Sequence, residues 1–333
     1  MELSDFDYDL PRELIAQEPL DDRGGSRLMV LDGDRVRHRA FSDLSGFLRP
    51  DDVLVLNDSR VVPARLLGKR ATGGKVELLV LGTRGPVAEA LVRAKPLRPG
   101  ERLSLGEGRC AVEERVAGAR YRLRFEVPGG LARFLRRRGE MPTPPYIRRK
   151  LGRPERYQTV FARDAGSVAA PTAGLHFTPA MLDCMRASGV TVAFVTLHIG
   201  PATFQPVRAR DVMDHRMEPE HYRIGGEAAA AVNGRRGRLV AVGTTVVKAL
   251  ESAARPDGTV PESEGWSDLF IRPGHEFRAR PDALLTNFHL PRSTLIMLVS
   301  ALVGRERLLA AYAEAVRERY RFYSFGDAML CLL

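Results

Sequence analysis

The sequence predicts an α/β fold, a layered α/β main domain interrupted by an inserted small antiparallel β-barrel domain. Three observations carry this. Apolar strand-like runs alternate with helical stretches towards both ends of the chain, the α/β pattern. Residues 63–127 instead read as short strands between turn signals, the texture of a small antiparallel barrel. The α/β texture resumes near Tyr157, so one kind of sequence is nested inside the other. The expected boundaries are residues 1–62 and 157–333 for the discontinuous α/β domain and 63–156 for the insertion, which ends in a basic, Pro-containing exit segment. At 333 residues the chain exceeds the usual size of a single core.

Taken in order, "MELSDFDYDLPREL" is acidic and lacks the basic and apolar regions of a signal peptide. No apolar run reaches the roughly 18 residues that span a bilayer, so a cytoplasmic protein with no membrane partner is expected. "LDGDRV" is a turn between strands, and "DVLVL" is a strand running into "NDSR". In the insertion, "ARLLGKR" and "KVELLVL" flank a hairpin turn at Thr72, Gly73 and Gly74, and "EALVRAKP", "ERLSL" and "YRLRFEV" follow as further strands. "GKRATGGK" has the wrong spacing for a phosphate-binding loop, and neither Ser nor Thr follows Lys75. Later, "TVAFVTL" runs into "HIGPATF", "GRLVAV" into "GTTVVKALES" and "DALLT" into "NFHLPRST". Thr244 or Thr245 is expected to cap a helix. Ser293 or Thr294 is expected to start another, apolar almost all round and hence buried, which Gly304 ends.

Composition narrows the partners. The formal net charge is +10, which suits a polyanion such as nucleic acid. Residues 133–156, "RFLRRRGEMPTPPYIRRKLGRPER", hold nine Arg or Lys against two Glu, so this segment carries most of the excess. A solvated charged face is the competing reading. For RNA, Arg136, Arg137, Arg138, Arg148, Arg149 and Lys150 would meet phosphates and Tyr146 would stack on a base. Cys110, Cys184 and Cys331 are scattered and odd in number, unlike a disulfide framework or a zinc site, and are read as structural. No H-E-x-x-H occurs, and His215, Glu218, Glu220 and His221 in "DHRMEPEHY" follow no recognised metal spacing, so no metal is expected.

Chemistry gathers in the α/β part. Ligands of open α/β sheets sit at the carboxyl ends of strands, so the four polar loops after "DVLVL", "TVAFVTL", "GRLVAV" and "DALLT" are expected to line one crevice. There Arg60 can grip a carboxylate or phosphate in a fork, while Asp58 equally suits a turn. Thr244 and Thr245 lie where helix N–H groups attract an anion. His198, Asn287 and His289 stand at strand exits. "SVAAPTAGLHFT", residues 167–178, sets His176 among small and apolar residues that offer it no obvious partner.

The successive stretches "NDSRVVPARL", "GGKVELLVL", "MPTPPYI", "YQTVFARDAGSVAAPTAGLHFT", "FVTLHIGPATFQPV", "VAVGTTVVKALES", "LLTNFHLPRSTLIMLVSALVG" and "YRFYSFGDAML" resemble, in order and over essentially the whole chain, the S-adenosylmethionine:tRNA ribosyltransferase-isomerases of queuosine biosynthesis. The resemblance implies an α/β domain interrupted by a β-barrel. It also implies transfer and isomerisation of the ribosyl part of S-adenosylmethionine onto 7-aminomethyl-7-deazaguanine at the tRNA wobble position. Epoxyqueuosine forms, and adenine and methionine leave. S-adenosylmethionine is then a co-substrate, and no retained cofactor is implied.

Under that resemblance, His176 is the expected base for a hydrogen on the ribose carbon beside the sulfonium. Thr172, Gly174 and Asn287 are expected to contact S-adenosylmethionine. His198 or His289 would protonate the departing adenine, and Glu220 or Asp58 would deprotonate the aminomethyl group. Arg60 would bind the methionine carboxylate, and Thr244 and Thr245 would contact it or the ribose hydroxyls. The chain departs from the family where members commonly read T-S-V-R, having Thr245, Val246, Val247 and Lys248. It also has Pro201 and Ala202 in the turn after His198, and Glu218 where a histidine is frequent. Two rivals remain: a non-catalytic tRNA-binding protein, and an ordinary methyltransferase, whose Gly-rich loop near the N-terminus is missing.

Overall fold

The computed structural model describes residues 1–149, 151–201, 207 and 209–333. The chain divides into two compact units: Met1–Arg60 with Pro145–Asp164 and Ala170–Leu333, and Val61–Pro144 with Ala165–Ala169.

The first unit begins with β1 (Arg27–Asp32), β2 (Arg35–Ala40) and β3 (Val53–Asn57), after which β4 (Ser59–Val61) leads into the second. The second unit contains β5 (Arg65–Arg70), β6 (Lys75–Arg84), β7 (Val87–Arg93), β8 (Arg102–Ser104), β9 (Arg109–Ala117) and β10 (Arg120–Glu126), then α1 (Leu131–Arg138). These six strands close into a barrel, in the order β10-β7-β6-β5-β8-β9, with every neighbouring pair antiparallel. Alternate residues such as Val76, Leu78 and Val80 of β6 and Tyr121, Leu123 and Phe125 of β10 fill its interior. Alternation of this kind is what a sheet with one buried face requires. β9 is the strand that the sequence reading lacks. In "RCAVEERVA" only Cys110 and Val112 face the core, and Glu113, Glu114 and Arg115 mask the alternation.

The chain returns through β11 (Asp164–Ser167) and completes the first unit with α2 (Pro179–Ala187), β12 (Thr191–Leu197), β13 (Glu220–Ile224), α3 (Gly226–Asn233), β14 (Leu239–Val242), α4 (Thr244–Ala253), β15 (Ser263–Ser267), β16 (Ala283–Asn287), α5 (Thr294–Val303), α6 (Arg305–Arg317) and β17 (Ala328–Leu332). Ser293 caps α5 by accepting from the Ile296 N–H, and seven of the helix's ten residues are buried. At α4 the cap is Gly243, not either threonine: its φ of +90° is a conformation that side chains disfavour, and Thr244 and Thr245 begin the helix proper.

The nine-stranded sheet runs β15-β13-β12-β3-β14-β16-β17-β1-β2. β12, β3, β14 and β16 are adjacent and mutually parallel, so the four loops singled out in the sequence all leave along one edge. β3, β14 and β16 are buried throughout, as expected of strands covered on both faces. β17 is antiparallel to β16 and parallel to β1, with Ala328 opposite both Asn287 and Leu28. The starts of β17 and β1 therefore lie at the same edge, which brings Ser26 and Asp327 to the carboxyl end of β16. Among the described residues, no helix is long and apolar enough to cross a membrane.

Candidate active site

His176 ends a short 3-10 turn, Thr172–His176, and is buried beside the Phe41 ring at 4.9 Å. The expected absence of partners is corrected by the fold. Ser26 Oγ lies 2.8 Å from Nδ1, and Asn287 Nδ2 lies 3.2 Å from Nε2. Asn287 Nδ2 also donates to the Asp327 carbonyl at 3.4 Å, and Asn287 Oδ1 accepts from Thr172 Oγ1 at 2.9 Å. The Asp327 carbonyl requires a donor, which orients the amide. The His176 nitrogen facing that amide must then accept, so its proton sits on Nδ1 and is donated to Ser26. Burial, reinforced by the Arg321 and Arg23 charges, pushes the imidazole pKa down to about 3. The ring is therefore a neutral acceptor at physiological pH, with its lone pair directed at Asn287.

His289 is equally enclosed, and burial lowers its pKa to about 3. Its Nε2 meets Thr286 Oγ1 at 2.8 Å, its N–H donates to Tyr312 Oη, and its carbonyl accepts from Tyr8 Oη. These contacts anchor the "TNFHLP" loop.

His198, just past β12, differs. Burial lowers its pKa while the Asp164 carboxylate, 3.4 Å from Nε2, opposes the shift. The ring stacks on His221 at 5.7 Å, and Nδ1 is buried with no hydrogen-bond partner among the described residues. Asp58 is buried and fully engaged, accepting from Thr196 Oγ1 at 2.7 Å and from Arg163 at 2.8 Å. Glu220 accepts from the Gly200 N–H at 2.9 Å and from Lys248 Nζ at 2.9 Å, a buried ion pair. Lys248 therefore serves Glu220, while Val246 and Val247 beside it are core residues.

The remaining expected contacts are placed as follows. Thr244 is buried, and Thr245 Oγ1 is a buried atom without a hydrogen-bond partner among the described residues. Gly174 is small for a packing reason: a Cβ there would lie 2.7 Å from Phe161 Cζ and 2.9 Å from Thr159 Cγ2. Arg60 is exposed and donates to the Ala162 carbonyl at 3.5 Å. Ala202 lies outside the described residues.

A family model described as "Queuosine biosynthesis protein" matches residues 3–331. The chain belongs to this family. Among its relatives, a Symbiobacterium thermophilum protein named S-adenosylmethionine:tRNA ribosyltransferase-isomerase is 54% identical over 100% of both chains. One of the same name from Pelotomaculum thermopropionicum is 52% identical, again over 100% of both. A crystal structure of S-adenosylmethionine tRNA ribosyltransferase from Thermotoga maritima is 37% identical, covering 99% of this chain and 100% of that one, with a TM-score of 0.56.

In this queuosine biosynthesis family member the basic segment is divided. Arg136, Arg137 and Arg138 end α1 in the second unit, where Glu107 pairs with Arg137 and lies 3.6 Å from Arg138. Arg148 and Arg149 are exposed on the first unit, and Arg149 pairs with Glu18 at 3.2 Å. Lys150 lies outside the described residues. Tyr146 is not presented as a free ring: it packs on Tyr323 at 4.2 Å and its hydroxyl bonds Ser324. Cys110 and Cys331 are buried, with thiol pKa values raised to about 12, whereas Cys184 is exposed. Among the described residues, no three His, Cys, Asp or Glu side chains are grouped to hold a metal. Sequence reasoning missed Ser26, Asp164, Arg163 and Asp327. Asp327 is buried and accepts from the Arg27 and Arg321 backbone N–H groups. Polar residues from five separate stretches carry no local pattern, and only sheet order brings them together.

Proposed function

We propose that this protein is an S-adenosylmethionine:tRNA ribosyltransferase-isomerase that moves the ribosyl moiety of S-adenosylmethionine onto 7-aminomethyl-7-deazaguanine in tRNA, forming epoxyqueuosine and releasing adenine and methionine. The observation that carries this reading is the full-length likeness, at 48–54% identity, to proteins of that name. S-adenosylmethionine is consumed as a co-substrate, with no retained cofactor and no metal.

The chemistry asks for a neutral base, because the sulfonium acidifies the hydrogens of the adjoining ribose carbon. His176 meets this need through a lone pair in a dry, apolar surrounding, where a proton acceptor avoids competition with water. A substrate that draws the Asn287 amide away from Nε2 frees that lone pair. Asn287 and Thr172, already bonded to each other, then face the ligand. His198, with a nitrogen unengaged among the described residues and Asp164 beside it, is the group suited to assist departure of adenine. Glu220 lies near it in the sheet, since His198 N–H bonds the His221 carbonyl, and suits the incoming amine. The exposed arginines of the basic segment meet tRNA phosphates.

Product analysis tests the reading. Purified protein with S-adenosylmethionine and tRNA bearing 7-aminomethyl-7-deazaguanine is expected to release adenine and methionine in step with an epoxyqueuosine mass. S-adenosylhomocysteine with methylated RNA would instead establish a methyltransferase, and tRNA binding without turnover would establish a non-catalytic protein.

A further inference from the structure

Three guanidinium groups of the first unit form a chain beside His176: Arg321 and Arg23 act on the imidazole, and Arg156 acts on Arg23. Arg23 Nη1 donates to the carbonyl of Leu175, the residue before His176, at 2.9 Å. Arg321 Nη2 donates to the Glu18 carbonyl at 2.5 Å. Arg156 donates to the Asp21 carbonyl at 2.7 Å and the Leu20 carbonyl at 2.5 Å. All of these bonds end on backbone carbonyls, and among the described residues none of the three arginines forms a close ion pair. Asp327 and Glu18 act on Arg321 electrostatically, but their closest bonds go elsewhere: Glu18 to Arg149, and Asp327 to backbone N–H groups and, at 3.5 Å, to Arg27. Arg321 Nη1 and Arg156 Nε remain as buried donors with no partner among the described residues.

Buried donors without partners are costly, and Arg321 Nη1 and Arg156 Nε, both on guanidinium groups, make this cluster an incomplete anion site. We propose that Arg321, Arg23 and Arg156 form the subsite for the α-carboxylate of the methionyl part of S-adenosylmethionine. This rests on the transferase reading. The choice of a small carboxylate over a tRNA phosphate follows from the enclosure of the two unpartnered donors and from proximity to His176, whose pKa Arg321 and Arg23 both depress. A carboxylate bound there offsets those charges and makes His176 a stronger base when substrate is present. Arg60, the residue the sequence offers for this role, is exposed and has no comparable enclosure.

The test compares S-adenosylmethionine with its decarboxylated form by calorimetric titration of the full-length protein, alongside adenine release. The wild type is expected to bind S-adenosylmethionine at least about tenfold more tightly, the scale of a charge-assisted fork. Arg321→Gln is expected to remove that difference while leaving affinity for the decarboxylated compound and the KM for tRNA unchanged, and Arg23→Gln to reduce it. Because the first comparison uses only wild type, misfolding of a variant does not decide the matter. A wild type that releases adenine yet binds both compounds alike overturns the subsite alone. So does an Arg321→Gln protein that keeps the discrimination but raises the KM for tRNA, which would assign the arginines to phosphate. A wild type that binds neither compound and releases no adenine overturns the transferase reading and the subsite together.

Discussion

His176 and His198 lie at the same edge of one sheet, yet they are prepared differently. Both ring nitrogens of His176 are bonded, its tautomer is set by Ser26 and Asn287, and its surroundings are apolar. His198 keeps one buried nitrogen without a hydrogen-bond partner among the described residues and stands between a carboxylate and a second imidazole. The first arrangement holds a neutral base of fixed orientation; the second holds a group whose charge responds to its neighbours. Depth of burial alone does not mark His176 as the base, since His289 is as enclosed and its bonds anchor a loop.

The largest effect should come from His176 itself. His176→Gln is expected to lower turnover by roughly 10²–10⁴, the usual contribution of a positioned base, with tRNA affinity retained. A thermal melt of the same sample checks that the protein is folded. Comparable in energy, but in stability rather than rate, is Lys248→Met. It leaves Glu220 charged and buried without its cation, a loss of about 3–5 kcal/mol by urea unfolding. An unchanged midpoint would mean that this pair is not buried as described.

The pH dependence of folding sharpens the same contrast. His176 and His289 have folded pKa values near 3, below the 6.5 of the unfolded chain, so the unfolded state binds more protons between those values. Their contribution is fully present above pH 6.5 and is lost as pH falls towards 3, at about 1.4 kcal/mol per pH unit for each ring. Urea midpoints at pH 7 and pH 5 should show this decline, and His289→Gln should make it shallower. Smaller again, His198→Gln is expected to reduce turnover about tenfold and flatten the alkaline limb of its pH profile, as for a proton donor that assists rather than initiates. A loss equal to that of His176→Gln would erase the distinction between the two rings.

Much of the frame was legible. "DVLVL", "TVAFVTL", "GRLVAV" and "DALLT" are apolar runs of strand length, and the sheet places them side by side and parallel. Ser293 and Gly304 mark α5 because capping is a local property of the chain. The barrel was read with one strand missing, since the outward charges of β9 conceal its two inward residues. The side-chain network was the least legible part. Asn287 and His176 stand 111 residues apart, and Ser26 stands 150 from His176. Neither pairing leaves a trace in local sequence, which is why His176 looked unpartnered there. Nor does "PTAGLHF" reveal that Phe161 and Thr159 crowd its glycine.

The most direct test of the central role given to His176 uses S-adenosylmethionine carrying two deuterium atoms on the ribose carbon beside the sulfonium. With wild type and modified tRNA, the product nucleoside should retain one deuterium, and turnover should be slower than with the unlabelled compound. His176→Gln, still folded and still binding tRNA, should form that product at least about 10²-fold more slowly. A folded His176→Gln protein that turns over within a few-fold of wild type and loses deuterium equally would contradict the account and pass the proton-transfer role to another group at the sheet edge.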